Sequence, residues 1–219
     1  AALSGRVVDW PGSSRFGDLS RPLCQNYRGK TFVHEALMDT AVSHRLNLET
    51  YRSPEEVVAH LKPSYPVFCV RPHKIDAVAR QFIEGFPGDV LYAVKCNPEP
   101  HMLDLLYQAG IRHFDTASLA EVELVGERLA EAKSYFMHPV KSRDAIASAY
   151  ANYGVTHYVV DHPTELQKIS EIIAPHREVV IVARLAIHYS GAVYELSSKF
   201  GASISEAIAL ARSAVQMGY

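Results

Sequence analysis

Six short β-rich runs follow one another at a nearly constant spacing, and each closes on a polar or ionisable residue. They are PVFCV (66–70), DVLYAVK (89–95), HFDTAS (113–118), SYFMHPV (134–140), HYVVD (157–161) and VVIVARLA (179–186). The polar residues are Arg71, Lys95, Asp115, His138, Asp161 and Arg184, at intervals of 24, 20, 23, 23 and 23. Each interval accommodates one strand, one helix and two loops, so the pattern predicts βα units around a parallel sheet. Two α/β architectures share it. A TIM-type (β/α) barrel gathers its chemistry at the carboxyl ends of the strands, where these polar residues recur. A doubly wound open sheet is the alternative, but the chain has no Gly-x-Gly-x-x-Gly turn after its first strands. The expected fold is therefore the parallel barrel. A closed one needs roughly 250 residues, and six strands make it incomplete.

The expected domains are an N-terminal extension over 1–64 and a partial barrel over 65–219. The extension carries several turn formers, a helical reading for FVHEALMDTAVSHRL (32–46), and a Ser53-Pro54-Glu55-Glu56 helix start. At the other end, Ser203-x-x-Glu206 forms a capping-box pattern and Gly218 a helix stop.

Composition narrows the function classes. With 48% hydrophobic residues, 21% charged residues and a net charge of −2, the chain has a globular makeup and no basic surplus to draw a nucleic-acid backbone or an anionic membrane. Its longest apolar stretch, VVIVARLAI, is short and broken by Arg184, and the amino end has no signal-peptide pattern. Cys24, Cys69 and Cys96 are odd in number and widely spaced, which fits a reducing cytoplasm better than a disulfide framework. The histidines show no metal-ligand spacing, and no metal is expected.

The lysine in LYAVKCNPEP raises a chemical question. A two-residue period places Leu91, Ala93 and Lys95 on one face, with Tyr92 and Val94 on the other. If the bulkier pair packs against helices, Lys95 points inward. A desolvated amine favours its neutral, nucleophilic form, which can capture an aldehyde. Ala93 leaves room for a flat ring beside it. Cys96, on the opposite face, reads as packing.

YAVKCN, FDTASLAEVELV, HPVKSRDAIASAYANYGV, YVVDHPTELQKI and SSKFGAS, in this order, resemble the alanine-racemase-like (type III) pyridoxal-phosphate decarboxylases, the ornithine decarboxylase group in particular, over about residues 65–205. The resemblance implies pyridoxal 5'-phosphate as cofactor, Lys95 as its Schiff-base lysine and Ala93 beside its ring. It makes Asp115 the active-site carboxylate near the lysine and Arg184 the active-site arginine. Glu121 is either a supporting contact or a helix-start glutamate, and Lys199 either a dimer-interface lysine or a solvated one. His138 stands where the family often has a small or amide residue, and reads as a satisfied strand-end histidine.

The family's stacking histidine, glycine-rich phosphate site and acidic partner of the pyridine nitrogen have no counterpart in these 219 residues. The expectation is a segment of an enzyme, a cleaved product or one chain of a split one, acting on a small-molecule amino acid. Ornithine leads, with lysine, arginine and diaminopimelate as alternatives and a racemase of the same fold behind them. A homo-oligomer or a second chain would complete the barrel. The other class of reading is a non-catalytic truncated homologue that binds or regulates a full-length decarboxylase.

Overall fold

The computed structural model describes residues 31–34, 50–187 and 199–219. The chain divides into two compact units, Ala1–Val70 and Arg71–Tyr219. In the first, β1 (Thr31–His34) pairs antiparallel with both β2 (Thr50–Tyr51) and β3 (Phe68–Val70). Helix α1 (Pro54–Leu61) starts as expected: Ser53 caps it by accepting from the Glu56 N–H, and Pro54 occupies the first turn. Val57 of α1 and Tyr51 of β2 are buried, with Val67 and Cys69 packed against them.

This unit corrects two expectations. Residues 32–34 lie in a strand, not a helix; the rest of the 32–46 reading falls outside the described residues. The PVFCV run is no barrel strand, because its core, β3, pairs antiparallel with β1 in the register Phe32↔Val70, Val33↔Cys69 and His34↔Phe68. A strand followed by a helix reads alike in sequence whichever sheet the strand joins. Arg71, expected to close this strand, is the N-cap of the next helix.

The second unit holds the parallel sheet. Its five strands are β4 (Leu91–Ala93), β5 (His113–Thr116), β6 (Lys133–Phe136), β7 (His157–Val160) and β8 (Val180–Ala183), hydrogen-bonded in that order. All four pairings are parallel. Sequential order with no reversal is how strands follow one another in a barrel wall, whereas a doubly wound sheet reverses at a switch point. Among the described residues the parallel sheet therefore holds five consecutive βα-type strands where the sequence suggested six.

Helix α2 (Pro72–Gly85) precedes β4. The crossovers are α3 (Pro100–Gln108), α4 (Leu119–Arg128), α5 (Arg143–Tyr153) and α6 (Pro163–Ile172), and α7 (Ile204–Met217) follows β8. Proline opens α2, α3 and α6, where its missing N–H costs nothing. Ser118, Ser142 and Ser203 cap α4, α5 and α7, the last through a full capping box with Glu206. Gly218 ends α7 at φ +104, as the sequence suggested.

Strand alternation sorts the two faces of the sheet. Phe114, Phe136 and Tyr158 are buried on the helix side, the first with Leu103, Leu106 and Val125, the other two with Ile146, Leu166 and Ile169. On the other face the matched row reads Ala93, Asp115, Tyr135, His157 and Val180. This face is polar and half-buried.

A buried ion pair ties the ends of β6 and β7 together. The Lys141 side chain is fully buried; its Nζ lies 3.0 Å from Glu165 Oε1 and donates to the carbonyls of Val159 (2.7 Å) and His138 (3.0 Å). Glu165 also accepts from the Lys141 N–H and from Lys168. Burial draws the Lys141 ammonium below the usual lysine range, against the opposing pull of Glu165. Removing one partner leaves an uncompensated interior charge, so Glu165→Ala should cost roughly 3–5 kcal/mol, while the double change Lys141→Met, Glu165→Leu should recover most of it. Urea unfolding followed by circular dichroism checks both outcomes.

Candidate active site

Strand β4 ends at Ala93, two residues earlier than the sequence suggests, and Val94–Cys96 form one turn of 3-10 helix. The Asn97-Pro98 pair accounts for this. Asn97 N–H closes the turn on the Val94 carbonyl at 3.1 Å, and its side-chain oxygen accepts from Glu99 N–H at 3.1 Å. Tyr92 adds a bond from its hydroxyl to the Asn97 carbonyl at 3.3 Å. Val94 is fully buried and serves as the anchor.

Lys95 therefore stands on a turn at the carboxyl end of the sheet, with its side chain exposed. The alternation used to turn Lys95 inward stops at Ala93, so the 3-10 turn, and not the strand period, sets its direction. Cys96 is likewise exposed, and not packed.

Ala93 and Asp115 are register partners, so a methyl group and a carboxylate lie side by side next to this turn. Asp115 is half-buried. Burial pushes its carboxyl above the usual aspartate range, and the charges of Lys95 and Arg184 pull in the opposite direction. Three of the expected site residues, on β5 and just past β4 and β8, thus act on one another at the same end of the sheet. The next turn is fixed by Glu121, whose carboxylate accepts from Ala117 N–H at 2.8 Å while its own N–H donates to Ser118 at 3.3 Å. Glu121 is a helix-start glutamate that orders the loop after Asp115. Thr116, fully buried, donates to the Tyr135 carbonyl at 2.9 Å.

Arg184 is exposed, one residue past β8. Its Cζ lies 5.5 Å from the centre of the Phe200 ring. Phe200 also meets His138 edge-on, with centroids 5.4 Å apart and planes at 73°. His138 is half-buried, and its Nδ1 sits 2.7 Å from the Val140 carbonyl, which bears out the satisfied histidine. Lys199 is exposed.

Sequence reading missed the clasp around Gly201. Asp161 accepts from Gly201 N–H at 2.9 Å, and Ala202, buried, pairs with Leu185 in a parallel bridge. Gly201 has φ +105, and a Cβ there would come within 2.6 Å of the Ala186 nitrogen. The signal was available in KFGA: a glycine between an aromatic residue and a small one, in a segment already noted as a motif.

An apolar cavity of about 550 Å³ lies between α2, β4 and α3. Ile75, Val78, Phe82 and Met102 line it together with Ala93 and Cys96, while neither Asp115 nor Arg184 does. Among the described residues no group of His, Cys, Asp and Glu gathers to hold a metal ion, and no helix is long and apolar enough to cross a membrane.

Residues 72–218 match the family model described as pyridoxal-dependent decarboxylase, pyridoxal binding domain. A lysine/ornithine decarboxylase of Selenomonas ruminantium is 35% identical over 130 residues, 59% of this chain and 32% of that protein. Antizyme inhibitor 2 of Xenopus laevis is 34% identical over 57% of this chain and 26% of its own length. A solved lysine decarboxylase from Selenomonas ruminantium superposes with a TM-score of 0.62 at 28% identity, over 76% of this chain and 43% of that one. The matched stretches thus span about a third or less of these curated relatives.

Below Asp115, the polar face carries a ladder across three strands. His113 Nδ1 lies 2.8 Å from the Tyr135 hydroxyl and its Nε2 3.5 Å from Asp89, while the Tyr135 and His157 rings meet at a tilt of 49° with centroids 4.5 Å apart. Burial, and then Lys133 and His113, lower the pKa of His157 from its ordinary 6.5. The unfolded chain therefore holds more protons than the folded one between the two values. The stability that His157 contributes is fully present above pH 6.5 and is lost as pH falls through that value toward the folded-state pKa. The thermal midpoint should consequently drop more between pH 7.5 and 5 in the unaltered protein than in His157→Gln, as measured by calorimetry.

Proposed function

Because the chain belongs to the pyridoxal-dependent decarboxylases, whose pyridoxal binding domain its residues 72–218 match, we propose that it is the lysine-bearing segment of an enzyme that decarboxylates a basic amino acid, ornithine first among them. The convergence of Lys95, Asp115 and Arg184 at the carboxyl end of a parallel sheet carries this reading. The residues suit the cofactor. An exposed amine gives its aldehyde access, Ala93 leaves space beside the strand, and a carboxylate flanked by two cations offers partners to a charged, polar ring.

When bound, pyridoxal phosphate draws electrons from the substrate α-carbon as carbon dioxide departs. The chain's own residues do the rest. The Lys95 amine holds the cofactor and, once released, moves a proton at the substrate carbon. Asp115 and Arg184 orient cofactor and substrate, while the clasp at Gly201 keeps the β8 end in place. Lysine and arginine remain alternative substrates. β4 and β8 are the edges of the described sheet, and their open backbone groups suit pairing with a second chain or another copy. The free Cys69 and Cys96 agree with a reducing cytoplasm.

The match to antizyme inhibitor 2, a relative not named as a decarboxylase, favours one other reading: a non-catalytic homologue that binds a full-length decarboxylase.

Borohydride reduction in the presence of pyridoxal phosphate, followed by peptide mapping, should place the pyridoxyl group on Lys95. Labelling confined to Lys141 or Lys199 would remove Lys95 from its role. In an assembly that releases carbon dioxide from ornithine, Lys95→Ala should lower the rate by several orders of magnitude with the fold intact. A chain that takes no label yet changes the turnover of an added decarboxylase would be the regulator.

A further inference from the structure

The Arg184 backbone is fixed on both sides. Its N–H donates to the Val160 carbonyl at 2.9 Å, and its carbonyl accepts from Ala202 N–H at 2.8 Å. That leaves the long side chain, exposed and free to sample many rotamers, to be placed by something else. The geometry points to Phe200 as the positioning residue for Arg184, holding its guanidinium over an aromatic face at the end of the sheet where Asp115 stands.

Three observations carry this. The 5.5 Å separation between Arg184 Cζ and the Phe200 ring centre lies within the reach of a cation–π contact, and arginine is well suited to such stacking. The ring itself is held: His138 meets it edge-on, and His138 is tied through Nδ1 to Val140. The following residue cannot drift, because Gly201 donates to Asp161 and lies so close to Ala186 that no side chain fits between them. Phe200 is thus a fixed surface on which a mobile cation rests. The influence of Arg184 on the Asp115 carboxyl agrees with that placement. What the positioning serves rests on the decarboxylase reading; the positioning itself does not.

The test needs neither cofactor nor substrate, so its failure is separable from failure of that reading. The Asp115 carboxyl is titrated by carbon-13 NMR in the unaltered chain and in Arg184→Gln, Phe200→Leu and Phe200→Tyr. Arg184→Gln removes a cation that lowers the Asp115 midpoint, so the midpoint rises. Phe200→Leu should raise it in the same direction, because the guanidinium loses its resting face, whereas Phe200→Tyr keeps the face and should titrate as the unaltered chain does. A leucine variant that titrates like the unaltered chain, or an Arg184→Gln variant with no shift, overturns the proposal. Should Phe200→Leu fail to fold, the δ-proton resonances of Arg184 in the unaltered chain decide. Upfield displacement by the ring supports the contact, and unshifted positions overturn it.

Discussion

Everything at the carboxyl end of this sheet depends on the parallel register. Parallel pairing fixes which side chain stands beside which, and here it lines up Ala93, Asp115, Tyr135, His157 and Val180 across five strands. A slip of one residue in β5 would turn its row to the helix side and bury the carboxylate of Asp115 in hydrocarbon. The register is held from behind by Phe114, Phe136 and Tyr158, each fully or nearly fully buried against the helices. A packed apolar face therefore positions a polar one. The same backbone carries both, which is why the core and the candidate site cannot be altered independently.

Much of this was legible in the sequence, and for physical reasons. The spacing of polar residues at the ends of β-rich runs reports the length of one βα unit, which steric and hydrogen-bonding rules confine to a narrow range. Serine followed three residues later by glutamate reports a helix start at Ser53, Ser118 and Ser203, because the orphan N–H groups there need acceptors. Strand-end position marked Lys95, Asp115 and Arg184 along with three other residues, and the family resemblance singled them out; the pull of Lys95 and Arg184 on Asp115 follows from the topology.

Most of what failed to show in the sequence depended on partners far along the chain, and one feature on a local turn. The strand pairing of residues 68–70 is decided by residues 32–34, and no local pattern in PVFCV reveals which sheet will accept it. The exposure of Lys95 hinged on where β4 stops, a matter settled by Asn97 and its turn bonds. The Lys141–Glu165 pair spans 24 residues, and the Asp161–Gly201 bond spans 40. Neither contact is marked by a local pattern of its own in the sequence.

The sequential order of the strands also bears on how the structure is reached. Each strand of the parallel sheet finds its neighbour just one βα unit away, from the β4·β5 pairing to that of β7 and β8. The loops to be closed are short and of nearly equal length, and closure entropy grows only logarithmically with length, by about 0.6 kcal/mol per doubling. No step waits for a distant segment to arrive. The sheet can grow by accretion in the order in which the ribosome delivers its strands, with each new βα unit docking on a completed edge.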